Sequence, residues 1–215
     1  MQVEVYGESL FDYLLYLPTD YDINKKYPLM FFLHGAGERG DDLNKLKVHS
    51  IPKIFSGDVN YQAIVVSPQC KIGVTWNTQI EKLTQFIKQI IKKYSVNEDA
   101  VSITGISMGG FGTWQIIMDN PELFSCAAPI CGGGMAWRAG VLSELPLRIY
   151  HGEQDGAVDP FYSKDIYRVL KNCNAKDVEL FLYPEVGHNV WNPAYEETDL
   201  ISWLINRRRN AEIYK

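Results

Sequence analysis

No run of about 18 apolar residues occurs in the 215-residue chain, so no membrane-spanning helix is expected. Positive charge is nowhere sustained. The net charge is −5, and the longest basic run, Arg207-Arg208-Arg209, falls where a final helix should end. Cations favour that position, so the run reads as a helix cap, and neither nucleic acid nor a membrane surface is an expected partner. Cysteine is scarce: Cys70, Cys126, Cys131 and Cys173 show no CxxC pair and no zinc spacing, and they read as reduced and structural. The start, Met1-Gln2-Val3-Glu4-Val5, has neither the basic nor the apolar segment of a signal peptide, which makes the cytoplasm the expected compartment. Repeats, low-complexity tracts and linkers are absent too. What is present is apolar residue, 46% of the chain, enough for one sizeable core and a single domain over residues 1–215.

The apolar residues alternate between strand-like and helix-like patterns. Val3 to Tyr6 and Phe11 to Leu17 read as an antiparallel edge hairpin turning at Gly7-Glu8-Ser9. Continuous apolar runs at Pro28–Leu33, Ala63–Ser67, Val101–Ile106, Cys126–Ile130, Leu147–His151 and Val178–Tyr183 read as strands, the first of them buried on both faces. Helices are expected from about Thr78 to Tyr94, from Ser107 to about Asn120, from Pro160 to Leu170 and from Glu196 to Arg208. In the first of these, Ile80, Leu83, Ile87, Ile90 and Ile91 share one face. The pattern is that of an α/β protein with a mostly parallel sheet. Such sheets place ligands beyond the carboxyl ends of their strands.

Gly105-Ile106-Ser107-Met108-Gly109 stands at one such end, between a strand and a helix. A serine hydroxyl becomes a nucleophile only when a base removes its proton, and a sharp strand-to-helix turn would lift Ser107 clear of the sheet. The helix start leaves the Met108 N–H unpaired and able to face an oxyanion. His34-Gly35-Ala36-Gly37 follows an earlier strand and offers a second donor, Ala36 N–H with Gly37 in reserve; no Gly-Lys-Ser/Thr follows to make a phosphate loop. A base working near neutrality calls for histidine. His34 and His151 each end a strand and suit loop anchoring, and His49 lies in a polar stretch with no strand to position it. His188, just after the last strand, remains. The orienting acid should fall between serine and histidine, where Asp155 follows the penultimate strand. Asp159, directly before Pro160 and a helix, reads as an N-cap, and Glu153 is a weaker rival.

Together Leu33-His34-Gly35-Ala36-Gly37-Glu38, Gly105-Ile106-Ser107-Met108-Gly109-Gly110, Pro121-Glu122-Leu123-Phe124, Pro129-Ile130-Cys131-Gly132-Gly133, His151-Gly152-Glu153-Gln154-Asp155 and Gly187-His188 resemble the α/β-hydrolase superfamily over nearly the whole chain. Within it the chain is similar to the compact esterases grouped with family-one carbohydrate esterases and with sequences labelled predicted peptidase or phospholipase/carboxylesterase. The resemblance implies an α/β-hydrolase fold with helices on both sheet faces, to which the N-terminal antiparallel hairpin read above belongs, and the lack of a long insertion leaves no large lid to expect. It implies a triad of Ser107, Asp155 and His188, an oxyanion N–H from Ala36, and no metal or organic cofactor. One departure is Val158-Asp159-Pro160, where that branch often has Val-Pro after the aspartate.

The expected reaction is ester hydrolysis through an acyl-enzyme, on a small-molecule or oligosaccharide ester. Acetylated or feruloylated sugar fragments follow from the resemblance and the expected compartment. A peptidase or acyl-thioesterase could use the same residues, and a non-catalytic binding protein of this fold would not need all three. Trp76, Trp137 and Trp191 each follow a strand or site loop and are candidates either for lining a cleft or for ordinary packing. Glu38 and Arg39 are expected to fix the oxyanion loop as an ion pair or to read a polar substrate.

Overall fold

The structure, a computed structural model, describes residues 1–209. Eight strands form one sheet in the order β1-β2-β4-β3-β5-β6-β7-β8: β1 Gln2–Val5, β2 Tyr13–Tyr16, β3 Tyr27–Leu33, β4 Ile64–Pro68, β5 Val96–Ile106, β6 Cys126–Ile130, β7 Leu147–Gly152 and β8 Val178–Tyr183. β1 pairs antiparallel with β2, and β2 antiparallel with β4. Every other pairing is parallel. The expected hairpin and central strands are all present.

Among the described residues six α-helices cover the sheet: α1 Ser50–Ser56, α2 Ile80–Lys93, α3 Met108–Asp119, α4 Phe161–Asn172, α5 Trp191–Glu196 and α6 Leu200–Asn206. The two-residue period of β3 sorts them. Leu29, Phe31 and Leu33 pack in one cluster with Leu83, Phe86 and Ile87 of α2, Trp114 and Ile117 of α3, and Ile166 of α4. Met30 and Phe32 point the other way, to Ile51 and Phe55 of α1, Tyr195 of α5, and Leu200 and Leu204 of α6. All of β3 is buried, as a strand covered on both faces must be.

Two stretches depart from what the sequence leads one to expect. The polar stretch around His49 leads into α1, preceded by a 3-10 turn over Leu43–Val48. The expected final helix, Glu196 to Arg208, forms only from Leu200, and a separate helix, α5, ends where it was expected to begin; Thr198 marks the gap, its hydroxyl donating to the Ala194 carbonyl and accepting the Leu200 N–H. The arginines after α6 do cap it, with Arg208 donating to the Ile205 carbonyl. No helix among the described residues is long and apolar enough to cross a membrane.

Candidate active site

Ser107 stands between β5 and α3 with φ +52° and ψ −116°. A non-glycine residue in that region is strained, and the turn persists because both flanks hold it. The Ser107 N–H donates to the Ile130 carbonyl (3.0 Å), and its own carbonyl accepts the Phe111 N–H (3.0 Å). The helix then passes so close to β3 that a Cβ on Gly109 would overlap the Leu33 carbonyl, so only glycine fits.

The loops after β7 and β8 are stitched together: Glu153 N–H donates to the Tyr183 carbonyl (2.9 Å) and Gln154 N–H to the Val186 carbonyl (3.1 Å). A Cβ on Gly152 would collide with the Val186 and Gly187 carbonyls, so the contact depends on that glycine. This brings Asp155 and His188 together across 33 residues. His188 Nδ1 lies 2.7 Å from Asp155 Oδ2, and His188 Nε2 lies 2.8 Å from Ser107 Oγ. A carboxylate only accepts, so His188 Nδ1–H is the donor and Nε2 is free to take the serine proton.

Asp155 is surrounded by donors. Its Oδ1 accepts the Ala157 and Val158 N–H groups, both at 2.9 Å. Its Oδ2 also lies 3.3 Å from Nε2 of His151, a buried ring. Burial pushes the carboxyl up, but the His188, Val158 and Ala157 hydrogen bonds outweigh it and hold Asp155 below the usual aspartate value. His151 donates from Nε2 to the Val158 carbonyl (2.9 Å), leaving Nδ1 to accept the Ser163 hydroxyl (2.7 Å). Its pKa is lowered, burial outweighing Val158 and Asp155. The rival acid, Asp159, caps α4 by accepting the Phe161 N–H at 2.8 Å.

Neither the Ala36 nor the Met108 N–H has an acceptor among the described residues. His34 anchors the Ala36 loop as the sequence suggests, donating from Nδ1 to the Gly35 carbonyl and accepting the Cys70 N–H (2.9 Å) at Nε2. Burial lowers its pKa to about 4 and keeps it neutral.

The candidate cleft residues separate. Trp76 does not line a cleft: it is fully buried, and its indole N–H donates to the His34 carbonyl (3.0 Å). Trp137 is 80% exposed, in a depression with Phe161 and Tyr162. Trp191, at the start of α5, packs edge-on against His188 with ring centres 5.4 Å apart. Tyr195 holds that helix in place through a 2.7 Å hydrogen bond to Thr104 of β5. Glu38 and Arg39 form no ion pair. Arg39 donates to the Ala36 and Val74 carbonyls, and Glu38 turns instead to His49, with Oε1 3.2 Å from Nε2.

His49 is the residue sequence reasoning missed. It packs against Trp191 at a tilt of 31° with ring centres 5.4 Å apart, and its Nδ1 lies 3.0 Å from Ser50 Oγ. The only hint was Ser50-Ile51-Pro52, a helix start that brings His49 back toward the sheet edge. Cys131, Asp155 and His188 offer three ligand atoms within 4.8 Å of one another. Burial pushes the Cys131 thiol up, and a protonated thiol is a poor metal ligand.

A serine at a strained strand-to-helix turn, bonded to a histidine and then to a buried acid at the carboxyl edge of this sheet, defines an α/β-hydrolase. Residues 66–199 match the phospholipase/carboxylesterase family model, and the chain belongs to that family. It is similar to a bifunctional acetylxylan esterase/xylanase of Neocallimastix patriciarum, with 26% identity over 153 residues, 69% of this chain and 22% of that protein. It is also similar to feruloyl esterase D of Neurospora crassa, with 25% identity over 160 residues, 68% of this chain and 54% of that one. The solved structure of a thermostable esterase overlays 97% of this chain and 63% of its own, with TM-score 0.81 and 28% identity. The chain thus spans less than two thirds of each of these relatives.

Proposed function

We propose that this protein is a serine carboxylic-ester hydrolase acting through Ser107, His188 and Asp155 on small acyl or carbohydrate esters of the acetyl or feruloyl type. The relay from Asp155 Oδ2 to His188 (2.7 Å) and on to Ser107 Oγ (2.8 Å) carries the reading. Ser107 Oγ bonds to the ester carbon as its proton passes to His188 Nε2. The carbonyl oxygen takes the negative charge and receives the Ala36 and Met108 N–H groups, donors worth on the order of 3 kcal/mol each in the transition state. As the carbonyl re-forms, the bond to the alcohol oxygen breaks and His188 returns the proton to it. Water then repeats the sequence on the acyl-enzyme, losing its proton to His188 and releasing the acid and Ser107. Asp155 keeps the imidazole in the tautomer that can accept the proton, and stabilises the imidazolium.

The acyl type rests on the relatives' names, acetylxylan esterase and feruloyl esterase. Four free cysteines favour a reducing compartment, the cytoplasm. Hydrolysis of p-nitrophenyl esters from acetyl to octanoyl, methyl ferulate and acetylated xylo-oligosaccharide, by wild type and Ser107→Ala, tests the proposal. Turnover in the wild type alone supports it, and the best substrate sizes the acyl pocket. Silence on all esters with turnover of peptides or acyl-thioesters would replace it.

A further inference from the structure

Hydrolysis of an ester needs space for two groups, and the direction of proton transfer decides where one of them goes. The leaving oxygen must reach His188 Nε2, so the alcohol lies on the side of the site that His188 and its neighbours wall. Those neighbours are Trp191, edge-on to His188, and His49, packed against Trp191 at a tilt of 31°, each with ring centres 5.4 Å apart. Both are partly exposed. Behind them Glu38 is held through Oε1 by His49 Nε2 at 3.2 Å. Its other oxygen, Oε2, is buried and has no hydrogen-bond partner among the described residues. Oε2 lies 3.1 Å from where a Cβ of Gly35 would be, beside the loop that carries the Ala36 N–H. The Gly35 backbone beside it helps keep the carboxyl ionised, but no N–H or O–H meets Oε2 with hydrogen-bond geometry, which leaves it open to a further donor.

We propose that Glu38, His49 and Trp191 form a subsite for the leaving alcohol, and that it selects a polyol carrying a hydroxyl next to the ester oxygen. The proposal rests on the esterase reading above. The flat faces of Trp191 and His49 take the ring or carbon chain of the alcohol. A small rotation about the His49 hydrogen bond brings Glu38 Oε2 to the neighbouring hydroxyl, which donates to it. A carboxylate accepts and cannot donate, so the partner group must carry a proton.

Cyclohexyl acetate and trans-2-hydroxycyclohexyl acetate share acyl group and ring and differ by one hydroxyl. The wild type is expected to favour the hydroxylated ester by about tenfold or more in kcat/KM, because a site built for a hydroxyl rejects the analogue lacking it. Glu38→Gln is expected to bring that ratio toward one, and Trp191→Leu to raise KM for both ring esters relative to ethyl acetate. Equal rates for the two esters in the wild type, a measurement that needs no variant, would overturn the subsite. So would a Glu38→Gln loss equal on both esters, which would make Glu38 a brace for the oxyanion loop. Acetylcholine turned over faster than the hydroxylated ester would overturn the polyol in favour of a cationic alcohol. If the wild type cleaves neither these acetates nor the p-nitrophenyl, feruloyl and xylo-oligosaccharide esters, or Ser107→Ala cleaves them equally, the esterase reading itself falls; cleavage of those esters with no turnover of either ring acetate overturns the subsite alone.

Discussion

Two serine–histidine–carboxylate arrays stand at the same edge of this sheet, with Trp191 between their histidines. In one, Ser107, His188 and Asp155 come from three loops; in the other, Glu38 joins the adjacent pair His49 and Ser50. Both serines have positive φ, +52° at Ser107 and +57° at Ser50, and each adjoins or opens a helix. The imidazoles are equally accessible, 28% and 26% of their side chains. The differences lie elsewhere. Ser50 is 2% exposed and no substrate carbon can reach it, whereas Ser107 is only partly buried and is followed directly by the Met108 N–H, which has no acceptor among the described residues. Asp155 has donors on both oxygens, whereas Glu38 leaves one without a partner. A fully satisfied acid holds a base in place, and a partly satisfied one is available to bind something else. Residue types alone therefore do not tell the two serines apart; access does.

The largest effect should come from Ser107→Ala, which is expected to cut kcat on p-nitrophenyl acetate by at least about 10⁴-fold. Asp155→Asn follows, with a loss of roughly 10³- to 10⁴-fold as the imidazole loses its tautomer control, read as kcat with the fold checked by circular dichroism. A comparable loss in Ser50→Ala would break the distinction between the arrays.

Stability against pH sharpens the contrast with the two buried histidines, His34 and His151. His34, neutral in the fold with a pKa near 4, binds a proton on unfolding below its ordinary value of about 6.5. The unfolded state then holds more protons, so stability should be complete above about pH 6.5. It should fall toward pH 4, by about 3 kcal/mol for this group. His151 acts in the same direction. Urea titrations from pH 7.5 to 4.5 measure the slope, and a flat profile would contradict two neutral buried rings. Asp155 has the opposite charge logic in the same pH direction. Its carboxyl is depressed, so its contribution is present above the usual aspartate value of about 3.9 and lost as pH falls through its folded value. The stability difference between wild type and Asp155→Asn should therefore persist at pH 5 and shrink below about pH 4.

Smaller effects test the supporting shell. His151→Gln removes a ring from Asp155 Oδ2 and is expected to lower kcat about tenfold with KM nearly unchanged, about 1.4 kcal/mol. Ser50→Ala should cost less than about threefold in kcat.

Much of this fold and site is legible in the amino-acid sequence. The central strands announce themselves by continuous apolar runs, because a strand buried on both faces has no polar side to show. Ser107 is legible from its glycines, since Gly109 meets the Leu33 carbonyl and tolerates nothing larger. His188 and Asp155 are legible because loops after strands must converge at one edge of a parallel sheet. The three tryptophans are not. Trp76, Trp137 and Trp191 follow similar local sequence, yet one is under His34, one is almost wholly exposed and one flanks His188. A side chain's burial depends on what packs over it from elsewhere in the chain. The Thr198 break is hidden for a related reason, as a hydroxyl competing for backbone groups carries no apolar signature.

The sequence by itself determined the sheet, its order of loops and the serine, histidine and aspartate that meet at its edge. Periodicity, glycine and chain order are local properties, and they suffice there. Only the tertiary structure decided that Glu38 leaves Arg39 for His49, that His49 packs against Trp191 and that Ser50 is sealed while Ser107 is partly exposed. Those outcomes depend on where α1 and α5 come to rest over one face of the sheet, and packing between distant segments is set by the whole core at once.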